Sequence, residues 1–206
     1  MNRISSSLLF LIGILMIGLL SLSACDETDG LPIVNSSETF KAYVDFPVNS
    51  YWVFQDTADG FIDSVSMVHR EVKYVGDDEE YGPCNRETIK TRHYRGWYED
   101  IFYGNIAGNC FDEFEFYSTG GRTYFFDGPN VSIGTQYNGA TYTAYMDSVE
   151  IQGSTYKEVK VFTLEEWTTD QVPYPRKVYF AKDIGIIYRE MADNRVWELL
   201  RYKITP

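Results

Sequence analysis

The chain is short of the residues from which most catalytic and metal centres are built. It has two histidines, His69 and His93, and three cysteines, Cys25, Cys84 and Cys110. No His-x-His, His-x-x-x-His or Cys-x-x-Cys spacing occurs, which removes the common zinc frameworks, and no Gly-x-Ser-x-Gly elbow marks a serine hydrolase. Neither a metal nor a cofactor is expected. Bases are also scarce, 18 Lys and Arg against 30 Asp and Glu, for a net charge of −12. So acidic a surface repels phosphate backbones and anionic lipid, and nucleic acid is not an expected partner. Helical periodicity is nearly missing, with Ser36–Val44 and Thr163–Gln171 as the only short candidates. One long apolar run exists, Leu8–Leu20. It falls short of the roughly 20 residues a spanning helix needs.

That run follows Arg3 and leads into Ser21-Leu22-Ser23-Ala24-Cys25. A basic start, an apolar stretch and small residues before a cut describe a secretory signal. Leu22-Ser23-Ala24-Cys25 resembles the lipobox of bacterial lipoproteins, which implies cleavage before Cys25 and acylation of its sulfur and new amino group. More than one acyl chain, each buried methylene contributing about 0.8 kcal/mol, makes membrane anchoring stable. The plain alternative is an ordinary secretory signal cut near Ala24. The expected organisation is a cleaved signal over 1–24, a lipidated Cys25 with a flexible acidic tether over 25–44, and one β domain over 45–206. Asp26-Glu27-Thr28-Asp29 resembles the sorting signals of surface-displayed lipoproteins in Bacteroidota, and equally fits a solvated linker. The implied location is the outer membrane or cell surface, or the periplasmic face. Cys84 and Cys110 are then the remaining pair, expected to form one disulfide in an oxidising compartment. Such a bridge is worth roughly 3 kcal/mol in the chain-entropy model.

From Tyr51 onward the pattern has a period of two. Tyr142, Ala144 and Met146 alternate with Thr143, Tyr145 and Asp147. Val159, Val161 and Thr163 alternate with Lys160, Phe162 and Leu164, and Leu200, Tyr202 and Ile204 with Arg201 and Lys203. Turn residues fall between such runs at Asp59-Gly60, Gly120-Gly121, Asn138-Gly139, Gln152-Gly153 and Asp193-Asn194, as tight hairpins demand. The pattern predicts strands near 51–56, 61–75, 87–103, 110–118, 122–127, 142–151, 155–168, 174–182, 186–192 and 196–205. The fold class is all-β: a single antiparallel domain with little helix, either a sandwich or a strongly curved barrel-like sheet.

Phe46-Pro47 followed by Tyr51-Trp52-Val53-Phe54 and Asp63-Ser64-Val65 resembles the opening of many uncharacterised Bacteroidota lipoproteins. Val178-Tyr179-Phe180-Ala181-Lys182-Asp183-Ile184-Gly185-Ile186-Ile187-Tyr188-Arg189-Glu190, then Trp197-Glu198-Leu199-Leu200-Arg201-Tyr202, is similar to their ending. A glycine common before the early tryptophan is replaced here by Asn49-Ser50, and residues 76–140 are unmatched. The resemblance implies class and location and carries no catalytic residues.

Candidate chemistry is thin. Glu113 and Glu115 share a strand face and could serve as a glycosidase pair, or as the wet face of an amphipathic strand. Glu165-Glu166 and Glu99-Asp100 diverge. Asp77-Asp78-Glu79-Glu80 lacks the alternate ligand spacing of a calcium loop. Aromatics are in surplus, with 17 Tyr and 4 Trp. Tyr94, Trp97 and Tyr98, among Arg92 and Arg95, suit stacking on a sugar or peptide, or packing across strands. Asp56-Thr57-Ala58, Asp63-Ser64-Val65 and Asp147-Ser148-Val149 resemble the acceptor pattern for periplasmic O-glycosylation in Bacteroidota, with Thr57, Ser64 and Ser148 as the acceptors. The leading expectation is a non-enzymatic, lipid-anchored binding or structural module for a glycan or protein; the alternative is a glycoside hydrolase using paired carboxylates. Mass spectrometry of the native protein should find Cys25 at the N-terminus carrying acyl chains; retention of Arg3, or an unacylated sulfur at Cys25, contradicts this.

Overall fold

A computed structural model describes residues 33–76, 85–95, 100–107, 112–118, 121–165 and 174–206. The chain runs through β1 (Ile33–Val34), α1 (Glu38–Val44), β2 (Tyr51–Asp56), β3 (Ile62–Gly76), β4 (Asn85–Arg95), β5 (Asp100–Ala107), β6 (Asp112–Ser118) and β7 (Gly121–Asp127). It continues through β8 (Gln136–Tyr137), β9 (Ala140–Ile151), β10 (Ser154–Leu164), β11 (Pro175–Ala181), β12 (Gly185–Met191) and β13 (Val196–Lys203). All strands join one sheet in the order β7-β6-β5-β4-β3-β2-β13-β12-β11-β10-β9-β8, with β1 added in parallel to β4. Every pairing along that path is antiparallel. The domain is therefore all-β, as the period-two pattern requires. Sequence neighbours are sheet neighbours, except that β13 returns to β2, while β7 and β8 stand at opposite ends.

Two hairpins show why the turns were readable. Asn138 and Gly139 have φ of 48° and 74°, and Gln152 and Gly153 have 50° and 72°. Two consecutive positive values between paired strands are the signature of a type I′ turn, whose twist matches that of the strands.

The sheet curls until one end meets strands near the other. Phe125 of β7 lies 5.1 Å from Phe162 of β10 and 4.7 Å from Phe180 of β11, ring centre to ring centre. Phe126 stands edge-on to Phe162 at 5.1 Å. These strands are far apart along the sheet path, so only strong curvature brings them together. At the same seam Lys160 of β10 pairs with Asp127 of β7, its ammonium 5.1 Å from the Tyr43 ring.

Helix α1 lies inside this curl. Ser37 caps it by accepting from the Phe40 amide at 3.2 Å, with Glu38 in the first turn and Lys41 in the last, which suits the helix dipole. Seven residues are too few to stand alone in water; the helix persists because Phe40, Tyr43 and Val44 fill one buried stripe. Phe40 and Tyr43 rest against Phe125 at 5.5 and 5.1 Å. Residues 33–44, which the sequence pattern assigns to the tether, are thus part of the folded body, because an apolar stripe and a strand pairing hold them. Residues 25–32 lie outside the described residues.

Three further expectations change. The single strand expected over 87–103 is two, β4 and β5, paired antiparallel. β10 buries both faces, Val159 and Val161 as well as Phe162 and Leu164, because the curled sheet covers it on both sides. The regular alternation expected over Leu200, Tyr202 and Ile204 is broken: the register slips between Leu199 and Arg201, and Leu200 and Tyr202 are both 41% exposed. A bulge inserts one residue and re-aims its neighbours. No helix among the described residues is long and apolar enough to cross a membrane.

Candidate functional site: an aromatic cavity under the helix

The curl leaves a cavity of about 60 Å³ between α1 and the inner faces of strands from both halves of the sheet. From β2 come Trp52 and Phe54, two residues apart and so on one face. β3 and β4 contribute Val65 and His93, β6 Phe114, β11 Phe180, and β12 Gly185, Ile186 and Arg189. Tyr43 and Val44 of α1, and Phe46 just beyond it, close the top. The lining resembles that of small-molecule sites, which are largely apolar with a few placed polar groups.

The polar groups are held by identifiable contacts. Tyr43 Oη donates to the Glu158 carbonyl at 2.9 Å, and burial followed by the Glu158 charge raises its pKa. Trp52 Nε1 donates to the Ile184 carbonyl at 2.6 Å, while Phe46 stands edge-on to the Trp52 ring at 5.2 Å. Gly185 is required between them. Its φ is +93°, and a methyl group there would meet Phe46 at 2.9 Å, so any side chain is both strained and in collision. His93 Nε2 lies 3.1 Å from Thr91 Oγ1. Burial pushes the His93 pKa down to about 4, because a desolvated imidazole disfavours its charged form.

Arg189 reaches the cavity through a register slip. Phe180 pairs with Ile186 but Tyr179 pairs with Tyr188, so Ile187 is the extra residue and Arg189 comes opposite Val178. The bulge thereby puts Arg189 on the face that carries Phe180 and Val178, and its guanidinium sits 4.2 Å over the Phe54 ring. Among the described lining residues Arg189 carries the only permanent charge, and none of them is a carboxylate.

The residues singled out from sequence are not brought together. Tyr94 is 40% exposed on β4, on the opposite face from its neighbour His93. Trp97 and Tyr98 lie outside the described residues, as do Cys25, Cys84 and Cys110, the acidic run 77–80, Glu99 and Glu166. In the register of β6 with β7, Glu113 and Glu115 come opposite Phe126 and Tyr124; their side chains lie outside the described residues. Thr57 and Ser148 are exposed, and Ser64 is half-buried within β3. No group of three or more metal-ligating side chains is present among the described residues.

Period-two counting from Ile89 through Thr91 would have placed His93 on a core face. Arg189 gave no such signal, because simple alternation from Ile186 puts it outside. Compared with known proteins, the chain matches no family model, no curated protein and no solved structure.

The neutral His93 has a consequence for stability. Between its ordinary pKa of 6.5 and about 4, the unfolded chain binds a proton that the folded chain refuses. Stability is therefore lost as pH falls through that window and levels off below it. Urea midpoints at pH 7.5 and 4.5 should fall further for the wild type than for His93→Gln; parallel losses in the two proteins would contradict a neutral buried imidazole.

Proposed function

We propose that this chain is an extracytoplasmic binding module, tethered to a membrane by lipid on Cys25, that takes a small and largely apolar molecule into the cavity beneath α1. The observation that carries the reading is the aromatic lining itself. Trp52, Phe54, Phe114 and Phe180 face empty space, where a chain selected only for stability gains by filling it; empty apolar volume costs about 24 cal/mol per Å³. The reading departs from the expected glycan ligand, because sugar hydroxyls need many polar partners and this lining has few.

A second reading, a glycan or protein docking on the outer face of the sheet, is favoured by the exposure of Tyr94, at 40%. Modification at Thr57 and Ser148 fits such an outward-facing protein, since both hydroxyl groups are open to solvent.

Filling the cavity tests the first reading. In the mature chain with Cys25→Ser, the wild-type cavity should bind the apolar fluorophore N-phenyl-1-naphthylamine saturably. Ile186→Trp and Val65→Phe should each weaken that binding by about tenfold or more while retaining cooperative thermal unfolding. Unchanged binding in a folded variant of either kind would overturn the cavity as the site.

A further inference from the structure

We infer that residues 36–46 form a strap over the cavity: α1 lifts to admit a ligand, and the buried Glu87 carboxylate is the latch that holds it down. This rests on the cavity reading above and adds how the site opens.

Space is the first constraint. The cavity is about 60 Å³, whereas a dry apolar cavity of ~150 Å³ takes a single benzene ring. An apolar ligand of that size or more has to enlarge the space, so part of the lining has to give. The strands around it are held in backbone ladders: β2 between β13 and β3, β4 between β3 and β5, β11 between β10 and β12. Moving one of them breaks hydrogen bonds along both its edges. α1 is held otherwise. Side chains tie it down at Lys41, Tyr43 and Asp45, and the Ala42 carbonyl accepts from the Asp183 amide at 2.7 Å. A seven-residue helix that cannot stand alone belongs to the low end of local stability, from which lids are drawn. Tyr43, Val44 and Phe46, which close the cavity, leave together when it lifts.

Latch and hinge lie at opposite ends. Glu87 of β4, 6% exposed, accepts from the Ser36 amide at 3.0 Å and meets the Lys41 ammonium at 2.8 Å. One carboxylate thus holds both the approach to the helix and its middle. Such a charge-assisted pair is strong while the charge is present and weakens once it is removed. Upstream, β1 adds two residues of parallel pairing, a slight hold. Beyond Phe46 the chain is pinned to β3. The Asn49 amide donates to the Met67 carbonyl at 2.9 Å, and the Met67 amide to the Ser50 carbonyl at 2.8 Å. Beside this pivot Arg70 grips Asp45 through two hydrogen bonds of 2.7 Å. Residues 47–50 stay with the sheet, and the segment before them swings.

Hydrogen exchange and binding kinetics on the mature chain with Cys25→Ser test this. The Lys41, Asp45 and Asp183 amides each donate to a carbonyl of α1 or its cap, so all three report whether the helix is seated. They should exchange at least about a hundredfold faster than the β10–β11 ladder. Glu87→Gln keeps an acceptor and removes the charge. It should speed those three amides, and the association of N-phenyl-1-naphthylamine, by about tenfold each, with the ladder unchanged. Helix amides as slow as the ladder, or unmoved by Glu87→Gln, would overturn the strap. So would faster helix exchange with an unchanged association rate, in which case saturable binding that Val65→Phe weakens leaves the cavity reading standing. Absence of fluorophore binding by the wild type would remove both. Should Glu87→Gln fail to fold, Asp45→Asn, at the other end of the helix, is measured against the same outcomes.

Discussion

The structure depends on the end of the sheet at β7 finding β10 and β11, near the opposite end of the same sheet. No strand pairing joins these elements; side chains do it. Phe125 touches Phe40, Tyr43, Phe162 and Phe180 at once. Aromatic pairs in such tilted geometries contribute about 0.5–1.5 kcal/mol each beyond their burial. Beside them Lys160 and Asp127 meet across the seam with the Tyr43, Phe125 and Tyr142 rings around the ammonium. Buried lysine is tolerated only where a charge partner and polarizable rings replace water. Without this closure the sheet would open, α1 would lose the surface its three apolar residues cover, and no cavity would exist.

Curvature is supplied by irregularities that a regular sheet lacks. Register slips occur in β3 near Val68, in β12 at Ile187 and in β13 at Leu200. In β10, Glu158 has a φ of +49°, and the buried face shifts there from Tyr156 to Val159. That left-handed residue also offers its carbonyl to Tyr43 and its carboxylate to Lys182 at 2.9 Å. Strain at one backbone position is thus tied to the helix that roofs the cavity. The same devices that bend the sheet decide which side chains enter it, and Arg189 is the clearest case.

Strands were legible because alternation and turn chemistry are local. Tyr51–Asp56 is found with the bounds read from sequence, and Asn138-Gly139 and Gln152-Gly153 turn where their conformational freedom allows. α1 was nearly missed, since three apolar residues in seven are a weak signal until Phe125 gives them something to cover. The site was not legible. Its residues come from α1 and six strands, and Arg189 and His93 lie on opposite halves of the sheet. What joins them is closure, which is a long-range event, and bulges, which break the periodicity that sequence reading relies on. The aromatic surplus was visible but its direction was not: Tyr94 faces out, whereas Phe114 and Phe125 face in.

Closure is best tested by contacts between rings in solution. In the mature chain with selectively labelled phenylalanine, nuclear Overhauser effects should connect the Phe125 ring with those of Phe162, Phe180 and Phe40. A Phe125 ring with contacts only to its own strand and to β6 would show an open sheet, and would contradict the account of both the fold and the cavity.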